Sequence, residues 1–160
     1  MLHLIERLDG PAEREQGVLV LPFSLRQKSR FRSVLLDGED VGVFLARGQV
    51  LRDGDLLRAG DGRVIRVEAE AETVSTVYCS DGQDLARICY HLGNRHVPLQ
   101  IGAGFARYLA DHVLDDMVRR LGLTPLMECA PFEPEAGAYH GHAAGGGHHH
   151  GASHAPAAGV

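Results

Sequence analysis

The run TVSTVYCSDGQDLARICYHLG, residues 73–93, changes rhythm partway along, and that change decides the fold. Thr73–Cys79 is rich in β-branched residues and reads as a strand. Ser80 followed by Gln83 has the form of a capping box, and Leu85, Ile88, Cys89 and Leu92 then recur at helical spacing. Gly93 is placed to stop that helix. Further on, Val97–Ile101 and Phe105–Leu109 read as two short strands around Gly102-Ala103-Gly104. Asp111 can cap a second helix whose apolar positions are Val113, Leu114, Met117, Val118 and Leu121. Arg119 and Arg120 complement its C-terminal dipole, and Gly122 then Pro125 end it. Leu126–Ala130 supplies a last strand. The order is βαββαβ, a ferredoxin-like arrangement.

Upstream of this unit the chain reads as β. Val18–Leu21 is a short apolar run closed by Pro22. Phe31, Val34 and Leu36 lead into Asp37-Gly38, and Val41, Val43 and Leu45 follow, the pattern of a hairpin. Asp53-Gly54 and Asp61-Gly62 repeat the device before Val64–Val67, and no helical period is evident. Ala69-Glu70-Ala71-Glu72 has the composition of a linker. Downstream, the 25 residues from Ala136 to Val160 hold no Lys, Arg, Asp or Glu, and 21 of them are Gly, Ala or His. Ordering each residue costs about 1–2 kcal/mol, and such a segment has almost nothing to bury in return, so a disordered tail is expected. The prediction is an α+β chain: a small all-β N-terminal domain (1–72), a ferredoxin-like domain (73–135) and a disordered His-rich tail (136–160).

Composition narrows the function. The chain has 160 residues, 44% hydrophobic and 23% charged, with a net charge of −5. No apolar run approaches the roughly 18 residues of a membrane span, and Met1–Arg7 lacks the apolar stretch of a signal peptide, so a cytoplasmic location is expected. The acidic balance argues against nucleic acid as a partner, since phosphate binding relies on clustered Lys and Arg. Cys79, Cys89 and Cys129, separated by ten and forty residues, match no disulfide framework, zinc knuckle or redox pair. No Gly-x-x-x-x-Gly-Lys-Ser/Thr loop or Gly-x-Ser-x-Gly elbow occurs, and nothing favours an enzyme.

Histidine is the exceptional residue. Six of the ten, His140, His142, His148, His149, His150 and His154, fall within fifteen positions. Imidazole is a good ligand for nickel, copper and zinc, and composition alone does not choose among them. His91 and His96 lie five residues apart, about 140° around a helix, and so form no i, i+4 metal pair. His91 reads most simply as a helix-surface residue. His96 falls where the helix gives way to a strand, a position often held exposed by a rigid frame, although taken alone it reads better as an ordinary core or surface histidine. His112, Asp115 and Asp116 share a helix face and could converge on a cation, although acidic residues in a first turn also simply complement the dipole. Finally, Arg26, Lys28, Arg30 and Arg32 put four positive charges into seven residues, either the solvated face of a strand or a docking patch for an acidic protein surface.

Four segments, taken together and in order, resemble the UreE family of urease accessory proteins. They are Leu25–Arg30, Tyr90-His91-Leu92-Gly93-Asn94-Arg95-His96-Val97-Pro98-Leu99-Gln100, Asp111–Met117 and Pro131-Phe132-Glu133-Pro134-Glu135. The Gly-Asn-Arg-His-Val-Pro stretch is the most specific. The resemblance implies a bacterial nickel metallochaperone with a partner-binding N-terminal β domain and a ferredoxin-like metal-binding domain. It implies a homodimer in which His96 of each subunit meets at the interface and holds one Ni(II). It further implies delivery to apo-urease together with a GTPase and other accessory proteins. One departure is that Ala110 stands where some family members carry the first histidine of His-x-His ending at His112, which weakens a second site there. A two-fold axis would double a lone His96. A flexible tail of 25 residues reaches roughly 25–30 Å, enough to bring auxiliary imidazoles to that centre. Two rival readings are a general divalent-metal buffer with no client, and a metalloenzyme built on His91, His96 and His112.

Overall fold

The computed structural model describes residues 1–11 and 14–137. The expected tail, with His140, His142, His148, His149, His150 and His154, lies outside the described residues apart from Ala136 and Gly137.

The first half is a six-stranded sheet. Its strands are β1 (Leu2–Leu8), β2 (Gly17–Leu21), β3 (Arg30–Val34), β4 (Asp40–Phe44), β5 (Leu56–Ala59) and β6 (Val64–Ala69), ordered β2-β6-β5-β1-β4-β3. β1 runs parallel to β4 and β2 parallel to β6, and the remaining pairs are antiparallel. Val18 O accepts from Leu36 N at 2.9 Å, which draws β2 and the end of β3 together and curls the sheet around its core. Side chains alternate along each strand, so Leu4, Leu19, Leu21, Val41, Val43, Leu57, Ile65 and Val67 all point into one cluster with Leu51. The Asp37-Gly38 turn forms as expected: Gly38 takes a φ of 95° that an L side chain rarely adopts. Two elements have no counterpart in the sequence reading. One is β1, where Leu2 and Leu4 are buried between exposed neighbours. The other is α1 (Phe23–Arg26), a single turn that starts at Pro22, whose fixed φ suits a helix entry.

The second half has strands β7 (Ala71–Tyr78), β8 (Gln100–Gly102), β9 (Phe105–Leu109) and β10 (Pro125–Pro131), with helices α2 (Gly82–Gly93) and α3 (His112–Arg120). The sheet order is β10-β7-β9-β8, antiparallel throughout. Ile88 and Leu92 of α2 and Leu114 and Val118 of α3 pack on Val77, Ala106 and Tyr108. The cap of α2 differs from the Ser80/Gln83 box: Asp81 accepts from Asp84 N at 2.8 Å, because a carboxylate one residue later reaches the free amides directly. Gly93 belongs to α2, which closes at Asn94. Asp111 caps α3 as expected, accepting from Val113 N and Leu114 N. The strand expected from Val97 is shorter and starts at Gln100, since Pro98 has no amide to give to a ladder.

The expected linker contracts to one residue. β6 ends at Ala69 and β7 begins at Ala71, with Glu70 N donating to Leu21 O at 2.9 Å. The two sheets also share a third cluster, in which Phe132 packs edge-on to Phe23 at 5.4 Å between centroids, with Val74 beside them.

Candidate metal centre

After α2 the chain unwinds through a tight sequence of turn bonds. Asn94 N donates to Tyr90 O, Arg95 N to Leu92 O and His96 N to Gly93 O, each within 3.0–3.1 Å. His96 then takes a φ of 55°. Among the described residues it is the sole non-glycine with positive φ, a conformation costing an L residue roughly 1–2 kcal/mol. The reversal leaves His96 exposed on a turn, while Val97 and Leu99 on either side of Pro98 pack inward. An unusual backbone at a solvent-facing imidazole is the arrangement expected of a functional position rather than of a packing one.

His96 borders a cleft of about 410 Å³ between the two sheets. Phe23, Val50 and Arg52 form one wall, and His96, Val97 and Pro98 the other. The floor is the chain beyond β10, which leaves the second sheet and is stitched to both sides. Glu135 N donates to Leu99 O at 2.8 Å, and Glu133 N to Gln100 Oε1 at 3.0 Å. From the opposite side, Arg52 Nη1 donates to Pro134 O at 2.5 Å, and Arg26 donates to Phe132 O and to the Glu133 carboxylate. The last described residues, Glu135 to Gly137, therefore line the same cleft as His96.

This corrects the reading of Arg26 as a docking residue. Arg26 is 0% exposed, with its guanidinium also donating to Leu21 O and Leu51 O at 3.2 Å. A charge so enclosed is unavailable to a partner. Lys28, Arg30 and Arg32 are exposed and make no ion pair among the described residues; Arg30 and Arg32 alternate outward on β3 while Phe31 turns in.

The remaining candidates separate. His112 opens α3 and is exposed. A small cavity of about 180 Å³ is lined by Val97 and Pro98, next to His96, and by Ala110 and Asp111, next to His112, so the two histidines flank one region. The His112–Asp115–Asp116 cluster does not assemble. Asp115 is 7% exposed and accepts the Tyr108 hydroxyl at 2.7 Å, because it lies beside Leu114 on the core side of α3. Asp116 pairs instead with Arg119 at 2.8 Å. Burial, reinforced by the Asp115 carboxylate, pushes the Tyr108 hydroxyl pKa up and locks its proton in that bond. His91 is half-buried and packs edge-on to Tyr90 at 5.3 Å. Burial pushes up the pKa of the Cys79 and Cys89 thiols, which makes them poor ligands.

Among the described residues no three His, Cys, Asp or Glu side chains come together as a metal cluster. The cleft lining holds one imidazole, His96, and one carboxylate, Glu135, which is not a complete donor set. Any cation held here would need further ligands from beyond these two side chains. The sequence reading missed Arg52, Gln100 and the course of residues 132–135. The available signal was Glu133-Pro134-Glu135, whose proline favours an extended segment over either a strand or a helix.

Comparison with known proteins agrees with this architecture. Residues 1–70 match the model for the UreE urease accessory protein N-terminal domain, and residues 72–156 match that for its C-terminal domain. A urease accessory protein UreE of Alkalilimnicola ehrlichii is 67% identical over 141 residues, covering 88% of this chain and 86% of that one. Its counterpart in Aliivibrio fischeri is 54% identical over 134 residues (82% of each chain), and that of Proteus mirabilis 53% over 129 residues (81% and 80%). The two matches together define a two-domain urease accessory protein. The chain belongs to the UreE family of urease accessory proteins.

Proposed function

We propose that this chain is a non-enzymatic, cytoplasmic nickel carrier that delivers Ni(II) to apo-urease during maturation of its metallocentre. The observation that carries the reading is His96, exposed at positive φ on the rim of a cleft. Ni(II) is the cargo. The donor set fits it, since imidazole suits nickel, and would also accept Cu(II) or Zn(II). His96 is the central ligand, and a homodimer doubles it across a two-fold axis. His112 is a secondary ligand on the same side of the domain, and His140, His142, His148, His149, His150 and His154 are auxiliary ligands. An open, shared shell permits ligand exchange, which a closed four-ligand cage would resist.

In this reading the units are 1–72, a partner-binding β domain; 73–135, a metal-binding domain whose strand order is that of a ferredoxin-like fold; and 136–160, the His-rich segment. Lys28, Arg30 and Arg32 dock acidic partner surfaces, among them urease apoprotein or its accessory proteins, including a GTPase. Binding needs neutral imidazole, so nickel capacity falls as the solution is acidified. Calorimetric titration should therefore give a lower stoichiometry at pH 5.5 than at 7.5. Urease activation in cells is the decisive assay. His96→Asn should abolish it, because Asn tolerates positive φ but lacks the imidazole. A chain cut after Gly137 should retain part of it. The opposite ranking would identify a metal buffer with no client.

A further inference from the structure

We infer that Glu135 is a direct carboxylate ligand to the divalent cation held at His96, an inference that rests on the reading of His96 as the metal position. His96 and Glu135 come from distant parts of the chain, yet both line the cleft of about 410 Å³. The Glu135 main chain is fixed against the segment that follows the His96 turn. The segment carrying Glu135 is held by the Glu135 N to Leu99 O bond on the His96 side and by the Arg52 to Pro134 O bond on the other. Those bonds use main-chain groups, so the Glu135 carboxylate is left over. It forms no ion pair among the described residues, whereas Glu133, two residues earlier, is taken by Arg26 and approached by Arg52 at 3.9 Å.

The cleft's electrostatics accept a cation despite the nearby arginine. Arg52 donates to Pro134 O and shares Glu133 with Arg26, so its guanidinium is held against the 132–135 segment while the Glu135 carboxylate supplies a negative charge to the same lining. Gln27 also lines the space and spends its amide on Phe23 O, at 3.4 Å. Phe23, Val50, Val97 and Pro98 make much of the rest of the lining apolar, while His96 and Glu135 themselves are exposed and accessible to an ion from solution. Imidazole nitrogen plus carboxylate oxygen is a donor pair suited to Ni(II) and Zn(II). Glu135 also occupies the point where the chain sets off toward the tail histidines, so it can hold the ion while those ligands exchange.

The test uses the full chain titrated with Ni(II) by calorimetry, with the visible d–d spectrum of the Co(II)-loaded protein as a readout of the ligand set. Glu135→Gln should weaken the His96-dependent binding event by about tenfold or more, the loss that follows even from removing an outer-shell partner of a metal ligand. It should also alter the Co(II) spectrum and leave thermal unfolding of the metal-free chain unchanged. Glu135→Asp should recover part of the affinity, and Glu6→Gln, on the exposed face of β1, should change nothing. Unchanged affinity and spectrum in Glu135→Gln, or an Asp variant no better than Gln, would overturn the inference while leaving His96 as the site. Unchanged binding in His96→Asn would instead overturn the reading beneath it.

Discussion

Replacing Arg26 with methionine removes the donor on which the junction between the sheets converges. The methionine is of similar length and fills the space, so the loss is mainly polar. Leu21 O, Leu51 O and Phe132 O lose a hydrogen bond each, and Glu133 loses its counter-ion. Breaking one side of a buried ion pair costs about 3–5 kcal/mol. Glu133 keeps 26% of its side chain exposed and can turn to water, which places the loss near the lower end, about 3 kcal/mol. For a chain of this size that corresponds to a fall in Tm of about 6–12 °C. Urea unfolding followed by far-UV circular dichroism should show the midpoint falling with the slope unchanged. Glu133→Gln keeps an acceptor in place and should cost less, about 1–2 kcal/mol. The double variant Arg26→Met/Glu133→Leu should be more stable than Arg26→Met alone, since the Glu133 carboxylate no longer faces the apolar side chain that replaced its buried partner. If Arg26→Met unfolds within 1 °C of the parent, the guanidinium is not what joins the two sheets.

Three further outcomes are expected. His96→Gly should raise the stability of the metal-free chain by about 1 kcal/mol while removing nickel binding, because glycine adopts positive φ freely; calorimetric melting and a nickel titration measure the two halves. Gly102→Ala should destabilise by about 1–3 kcal/mol, read by chemical denaturation, since its new Cβ would fall 2.1 Å from the Phe105 ring. At Glu128 a hydrogen bond from Thr76, and then the Arg107 guanidinium, outweigh desolvation and hold the carboxyl below its ordinary range. Its contribution is therefore complete above the ordinary carboxylate pKa and is lost as pH falls through the depressed one. An acid titration of Tm should drop less steeply in Glu128→Gln than in the parent.

The legible parts of this fold were those that local rules govern. The Leu85–Leu92 period, the Asp111 cap and the Gly38 turn each depend on side chains within a few residues of one another. What the sequence hid depends on partners far apart along the chain. Arg26 sits among Lys28, Arg30 and Arg32 and looks as solvated as they do until Phe132 and Glu133 arrive from more than a hundred residues away. Asp115 reads as a first-turn acid, and only the neighbouring strand shows that Tyr108 claims it. β1 escaped notice because its two buried leucines are too short a pattern to separate from chance. His96 was visible as a residue and as a place, whereas its backbone reversal and its cleft were not, since both require the returning C-terminal segment.

The Arg26 socket also sets a timetable for biosynthesis. Its wall at Phe132 O is 106 residues downstream, so when the first sheet leaves the ribosome its guanidinium has Leu21 O and Leu51 O but not Phe132 O or Glu133, and Phe23 lacks the ring that covers it. Domains ordinarily condense in the order they are synthesised, yet here the earliest one stays unfinished until the strand closing the second has emerged. Nascent chains stalled before that point should be open to proteases, and the fold is complete only once its late-made residues have sealed its early ones.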